Sequence, residues 1–110
     1  MATDRIPIGY FKVLEYANNY NSFDHFYSEH KAKIYETIVE VFEEFKTTTK
    51  AVLTVRLRTT IGGVLWDSEF GFTKDQYFIL KRDILPFFEV EENYEMCSRI
   101  MKVYNEIVTC

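Results

Sequence analysis

Residues 51–72 read AVLTVRLRTTIGGVLWDSEFGF, and this stretch predicts an antiparallel β-hairpin. Gly62 and Gly63 separate two runs in which apolar and polar residues alternate. Glycine has no Cβ, so it readily adopts the positive φ angles that a two-residue turn needs. If Ile61 closes the turn opposite Val64, both runs come into one register. We therefore expect this stretch to fix the fold class.

The same register gives the hairpin an apolar face and a charged face. The charged face pairs Arg58 with Asp67 and Arg56 with Glu69, and both pairs have opposite signs. Each exposed pair contributes only about 0.2–1 kcal/mol, so the pairs specify the register more than they stabilise the fold. The stabilising burial is expected from the large side chains of the other face, which are Leu53, Val55, Leu57, Phe70 and Phe72.

The sequence predicts four helices around the hairpin. Apolar spacing predicts the first over residues 6–18 and the second from Ser22, as N-cap, to about Lys46. Thr73 and Gln76 fit a capping box for a third helix, which Pro86 should end or kink near Leu85. A fourth helix is expected over residues 91–108. The predicted fold is a single compact α+β domain over residues 1–110, with the order ααββαα and one antiparallel hairpin packed against four helices.

Composition and charge indicate which classes of protein the chain could belong to. The chain has 110 residues, of which 47% are hydrophobic and 27% charged, as is typical of a globular domain. A net charge of −4 argues against a general nucleic-acid binder, because such proteins need a basic excess. The N-terminal residues lack the layout of a signal peptide, and no apolar run reaches membrane-spanning length. We expect a cytoplasmic protein that does not contact a membrane.

The sequence contains no recognisable catalytic or metal-binding pattern. His25 and His30 are five positions apart, which places them roughly 140° apart around a helix, so they cannot share a metal ion. His25 and Glu29 could act as a pair, but no third ligand is apparent. Cys97 lies in the apolar stripe of the last helix, and we expect free thiols there and at Cys110, or an intermolecular disulfide through Cys110. We predict a non-enzymatic protein with no metal and no cofactor.

A row of glutamates on the predicted second helix is the leading candidate for a binding surface. Like charges at a spacing of one turn are unfavourable, and negative charge near a helix C-terminus opposes the helix dipole. Such a row could bind a basic partner or could simply be solvated. Trp66, close to the turn, is the second candidate, because tryptophan is a frequent anchor at interfaces. The acidic row comprises Glu36, Glu40, Glu43 and Glu44.

Nucleic-acid binding through the hairpin is the alternative prediction. Basic residues in and after the hairpin would contact phosphates, and aromatic side chains would stack on bases. Asp67 and Glu69 count against it, since they should neutralise the hairpin arginines. The residues concerned are Arg56, Arg58, Lys74, Tyr77, Lys81 and Arg82.

Together these patterns favour a small protein-binding module, an inhibitor or adaptor that acts by occluding the surface of a protein target. The abundance of Phe, Tyr, Asn, Ile and Lys is typical of an AT-rich genome. A small chain without an active site then suggests a phage or mobile-element accessory factor in the host cytoplasm. A homodimer formed by strand pairing or helix packing stays open, because both hairpin edges could be unpaired.

Overall fold

The structure is a computed structural model that describes residues 10–109, and the chain divides into two compact units. Unit 1 contains the described residues up to Lys31 together with Val52–Phe72. Unit 2 contains Ala32–Ala51 and the described residues from Thr73 onward. The single domain expected over residues 1–110 stays a prediction.

Unit 1 is built on a three-stranded sheet. Its strands are β1 (Lys12–Tyr20), β2 (Val52–Ile61) and β3 (Val64–Thr73), in the spatial order β1-β2-β3. β1 pairs with β2 in parallel, with Lys12 beside Val55 and Glu15 beside Arg58. A parallel pair needs a long crossover connection, and helix α1 (Phe23–Glu44) lies between the two strands in the chain.

The predicted first helix is wrong, because residues 12–20 form β1. Leu14 is buried between exposed Val13 and Glu15, so the side chains here alternate with a period of two. The apolar positions that suggested a helix also fit a strand, and pairing with β2 decides between them. The part of the predicted helix over residues 6–9 lies outside the described residues.

The predicted fold class is wrong for the same reason. We expected the order ααββαα with one antiparallel hairpin as the whole sheet, whereas the chain begins its described part with a strand. Over residues 10–109 the sheet has three strands and includes a parallel pair, β1 with β2. Short amphipathic segments carry both periodicities, and only a non-local partner strand distinguishes them.

β2 and β3 are neighbours in the sheet and are joined by the two glycines. Gly62 has a φ of 59° and Gly63 a φ of 81°, the left-handed conformation expected for a tight two-residue turn. A Cβ on Gly71 would lie 3.5 Å from Cγ1 of Val52 and 4.0 Å from the hydroxyl oxygen of Thr54, which places Gly71 beside this part of β2. The turn thus reverses the chain and sets β3 against β2.

α1 begins as predicted, because the hydroxyl of Ser22 accepts a hydrogen bond from the backbone N–H of His25 at 3.1 Å. It ends at Glu44, two residues before the predicted end at Lys46. In unit 1 its first turn contributes Phe26, whose side chain is fully buried.

Unit 2 contains the second part of α1 and the helices after β3. A 3₁₀ turn (Lys74–Tyr77) and a π-helical turn (Leu80–Ile84) lead into α2 (Leu85–Val90), and α3 (Tyr94–Val108) follows. We expected Pro86 to end or kink this helix near Leu85, and the boundary between the π-helical turn and α2 does lie between Ile84 and Leu85. The chain continues as α2 because Pro86 lies in its first turn, where no backbone N–H is required. Asn93 caps α3 by accepting a hydrogen bond from the N–H of Met96.

The core of unit 2 consists of apolar side chains from each of these helices. Phe42 of α1 and Ile100 of α3 are fully buried. The other side chains with almost no exposed surface are Val39, Val41, Leu80, Ile84 and Val103.

Candidate protein-binding surface

β3 occupies one side of the sheet, and no further strand pairs with it among residues 10–109. The residues flanking a two-residue turn form the first hydrogen-bonded pair, and such pairs then alternate along the strands. Every second residue of β3 therefore directs its backbone N–H and C=O away from β2. These residues are Leu65, Asp67, Glu69 and Gly71. We call this unpaired side of Val64–Phe72 the β3 edge.

Large apolar side chains on β3 are exposed. Val64 has 68% of its surface exposed, Leu65 59% and Phe70 42%. Leu57, on the neighbouring strand β2, is only 3% exposed. An unpaired strand with exposed apolar side chains is a ready template for a strand from another chain.

On the charged face of the sheet, the arginines bind carboxylates of the same face. Arg56 donates two hydrogen bonds to Asp67, at 2.9 and 2.6 Å. Arg58 contacts Glu15 of β1 at 3.0 Å, and its Nε lies 3.5 Å from Asp67. The hydrogen bonds from Arg56 lower the pKa of Asp67. The predicted contact between Arg58 and Asp67 is present. The predicted ion pair between Arg56 and Glu69 is wrong, because Arg56 binds Asp67, which lies diagonal to it across the two strands.

Glu69 has a neutral partner. The hydroxyl of Tyr10 donates a hydrogen bond to its carboxylate. That hydrogen bond raises the pKa of Tyr10, because an ionised phenol would lose it and would repel the carboxylate. The side chain of Glu69 is exposed on the β3 edge.

Trp66 is half-buried and lies on the opposite face of β3 from Asp67. Its ring packs on Phe23 with the centroids 4.9 Å apart, and Phe23 in turn stacks on Tyr27 at 5.9 Å. Phe23 is 38% exposed. The predicted anchor is therefore one end of an aromatic strip and not an isolated exposed ring.

The acidic row lies on the part of α1 that belongs to unit 2, and a cation from α3 faces it. Arg99 binds Glu43 through two hydrogen bonds of 2.8 Å, and Lys33 lies 3.3 Å from Glu36. The pKa of Arg99 is raised by its hydrogen bonds to Glu43 and further by the nearby charges of Glu40 and Glu36. Of the four predicted residues, Glu44 is exposed and the other three are half-buried.

The residues of the nucleic-acid alternative are distributed over both units. Arg56 and Arg58 belong to unit 1 and are held by carboxylates. In unit 2, Arg82 binds the carboxylate of its neighbour Asp83 at 2.7 Å, so it offers little unmatched charge. The remaining residues of that prediction are Lys74, which is exposed, and Tyr77 and Lys81, which both contact the ring of Tyr104.

The histidines and the cysteine that were considered as catalytic residues make contacts that do not form a catalytic site. His25 lies 3.3 Å from Glu29, and His30 shares a hydrogen bond of 2.5 Å with the hydroxyl of Tyr20. Desolvation raises the pKa of the Cys97 thiol, and the charge of Glu89 adds to the shift. A raised pKa lowers the thiolate fraction that a nucleophile requires. In the described part of the chain, no three His, Cys, Asp or Glu side chains converge on a metal site.

A pocket of about 300 Å³ opens in unit 1. Its charged members, Glu15 and Arg58, already bind each other at 3.0 Å. The pocket therefore gives a charged ligand little to recognise. The other residues that line it are Tyr16, Thr59 and Leu65.

Comparison with known proteins identifies no relative. No protein-family model matches the chain, and neither a curated protein nor a solved structure is similar to it. Within residues 10–109, no helix has the length and apolar character needed to cross a membrane.

The sequence indicated an unpaired hairpin edge only as a possible homodimer contact, and not as the main binding surface, because the alternation of residues 64–72 equally fits a strand covered on one face. The signal that could have revealed it is the sequence itself at Val64-Leu65, two consecutive apolar residues that no single face can bury.

Proposed function

We propose that the chain is a non-enzymatic protein-binding module that pairs the β3 edge with an extended segment of a protein target. The observation that carries the proposal is the side of β3 that has no partner strand within residues 10–109, together with Val64 and Leu65, which are more than half exposed. Strand addition gains affinity from backbone hydrogen bonds and specificity from alternate side chains. Occlusion of the target's own strand edge would make the module an inhibitor or adaptor.

The acidic row supports this proposal less well than β3 does. Glu43 is committed to Arg99, and Glu36 to Lys33, so a basic partner would have to displace cations of the chain itself. Breaking such pairs costs affinity unless the partner restores every contact. We therefore assign the acidic row a structural role in unit 2.

The proposal extends to the setting in which the protein acts. The composition typical of an AT-rich genome supports an accessory factor of a phage or mobile element. The free thiol of Cys97 fits a reducing compartment such as the host cytoplasm.

Affinity capture from the native host, followed by mass spectrometry, tests the proposal. The decisive variant is Glu69→Pro, which removes an outward N–H from β3 without removing a hydrogen bond to β2. Glu69→Gln is its matched control, because it keeps that N–H. We expect one target to be captured by the wild type, to be captured less strongly by Glu69→Gln because the carboxylate is gone, and to be lost with Glu69→Pro.

A second control separates the two candidate surfaces. The triple variant Glu36→Lys, Glu40→Lys, Glu44→Lys reverses the acidic row and leaves β3 unchanged. We expect it to capture the same target. Loss of the target with this variant, and retention with a folded Glu69→Pro variant, would assign binding to the acidic row and refute the proposal.

A further inference from the structure

We infer that the segment accepted by the β3 edge is an extended peptide in which cationic and apolar side chains alternate. This inference rests on the proposed function and specifies the partner that the same surface takes. It follows from the chemistry of the two faces of β3, from the charge balance on one of them, and from the cost of pairing β3 with a second copy of itself.

The two faces of β3 differ in chemistry. Side chains alternate along a strand, so Asp67 and Glu69 share one face while Trp66 and Phe70 share the other. Phe70 is 42% exposed, and Trp66 is half-buried. A strand added beside β3 has the same alternation, so one set of its side chains meets carboxylates and the other set meets aromatic rings.

The charged face carries an excess of negative charge. Its arginines are both engaged, since Arg56 binds Asp67 at 2.6 Å and Arg58 binds Glu15 at 3.0 Å. Glu69 receives a hydrogen bond from Tyr10, which is uncharged, and its carboxylate is exposed on the β3 edge. A Lys or Arg side chain opposite Glu69 would complete the charge balance of this face.

A second copy of the chain fits the β3 edge poorly in the registers centred on residues 67–69, which use the full length of the strand. Consider two β3 strands that pair antiparallel, with their charged faces on the same side of the joined sheet. If the two-fold axis passes through Ser68, Asp67 of one copy lies opposite Glu69 of the other. If the two-fold axis passes through Asp67 or Glu69, that residue lies opposite the same residue of the other copy. Like charges directly opposite each other are destabilising, so the acidic side chains oppose self-pairing and favour a cationic strand.

Nuclear magnetic resonance with two synthetic peptides tests the inference on the full chain. The first probe is a capped nine-residue peptide in which Lys and Val alternate, and the second has Glu in place of every Lys. We expect the Lys peptide to shift the amide signals of Leu65, Asp67 and Glu69 and to bind about tenfold more tightly than the Glu peptide.

The charge-reversal variant Glu69→Lys tests whether the preference comes from this carboxylate. We expect it to reduce the preference for the Lys peptide by about fivefold, while Glu36→Lys on the acidic row leaves the preference unchanged. The preference of the wild type should also weaken as salt is raised from low to physiological concentration, because the charges are exposed.

The outcomes distinguish this inference from the proposed function. Equal binding of both peptides at β3, or tighter binding of the Glu peptide, would refute the cationic partner and leave strand addition in place. Shifts confined to α1 or α3 with either peptide would refute strand addition itself. Shifts of β3 amides that depend on the concentration of the protein alone would identify a second copy as the occupant and overturn the inference.

Discussion

β2 and β3 are neighbouring strands of equal length, yet they differ sharply in exposure. In β2 the inward side chains Leu53, Val55 and Leu57 are 3–5% exposed. In β3 the apolar side chains of Val64, Leu65 and Phe70 are 42–68% exposed, although β3 is no less apolar. Within the described residues 10–109, β2 has a neighbouring strand on both sides, whereas β3 has a neighbouring strand on one side. Position in the sheet, and not composition, therefore separates a core strand from a candidate binding strand.

The largest expected effect contrasts one leucine from each strand. Leu57→Ala should lower the free energy of unfolding by about 2–5 kcal/mol, because it opens a cavity at a buried position. Leu65→Ala should change it by less than about 0.5 kcal/mol, because this side chain is 59% exposed. Urea denaturation of both variants measures the difference. Similar losses would mean that β3 is covered as β2 is, and would contradict the comparison.

A smaller effect is expected at Thr59, which lies in the buried row of β2. Its hydroxyl is buried and makes no hydrogen bond within the described residues. Thr59→Val keeps the shape of the side chain and removes the unsatisfied group, so it should stabilise the protein by about 1 kcal/mol. Differential scanning calorimetry should record a higher Tm. The control Thr54→Val, on the other face of β2, should raise Tm less, and a lower Tm for Thr59→Val would show that the hydroxyl has a partner.

The smallest effect concerns the ion pair that links the two strands. Arg56 lowers the pKa of Asp67 below its ordinary value of 3.8, because the guanidinium donates hydrogen bonds to the carboxylate. A lowered pKa in the folded state stabilises the fold above the unfolded pKa, and this contribution is lost as pH falls through the folded pKa. The urea midpoint of the wild type should therefore exceed that of Asp67→Asn at pH 6. The gap should close below pH 3.8, and a gap unaffected by pH would show that the pair contributes nothing.

The sequence predicted local features of the fold well. The turn at Gly62 and Gly63 and the start of α1 after Ser22 follow from the conformational freedom of glycine and from the hydroxyl of a capping residue. Both depend on neighbours in the chain. Residues 12–20 failed as a helix because their partner strand lies about 40 positions away, and no local signal reports it.

The site was less predictable for the same physical reason. The acidic row is visible in the sequence, but Arg99, which binds Glu43, is 56 positions away. The arginines of the hairpin were correctly expected to meet carboxylates, whereas the contact of Arg58 with Glu15 required knowledge of β1. Trp66 was a candidate anchor because it is close to the turn, but its packing on Phe23 depends on where α1 begins. Long-range contacts therefore decide whether a charged or aromatic side chain is free to bind a partner.

The most direct test of the account is amide hydrogen exchange of the free protein, resolved for each residue of β3. We predict an alternating pattern, with fast exchange at Leu65, Asp67, Glu69 and Gly71 and slow exchange at the residues between them, because only the latter donate to β2. Leu57 and its neighbours in β2 should exchange slowly throughout. Uniformly slow exchange along β3 would show that its edge is already paired, and would contradict the assignment of this edge as the binding surface.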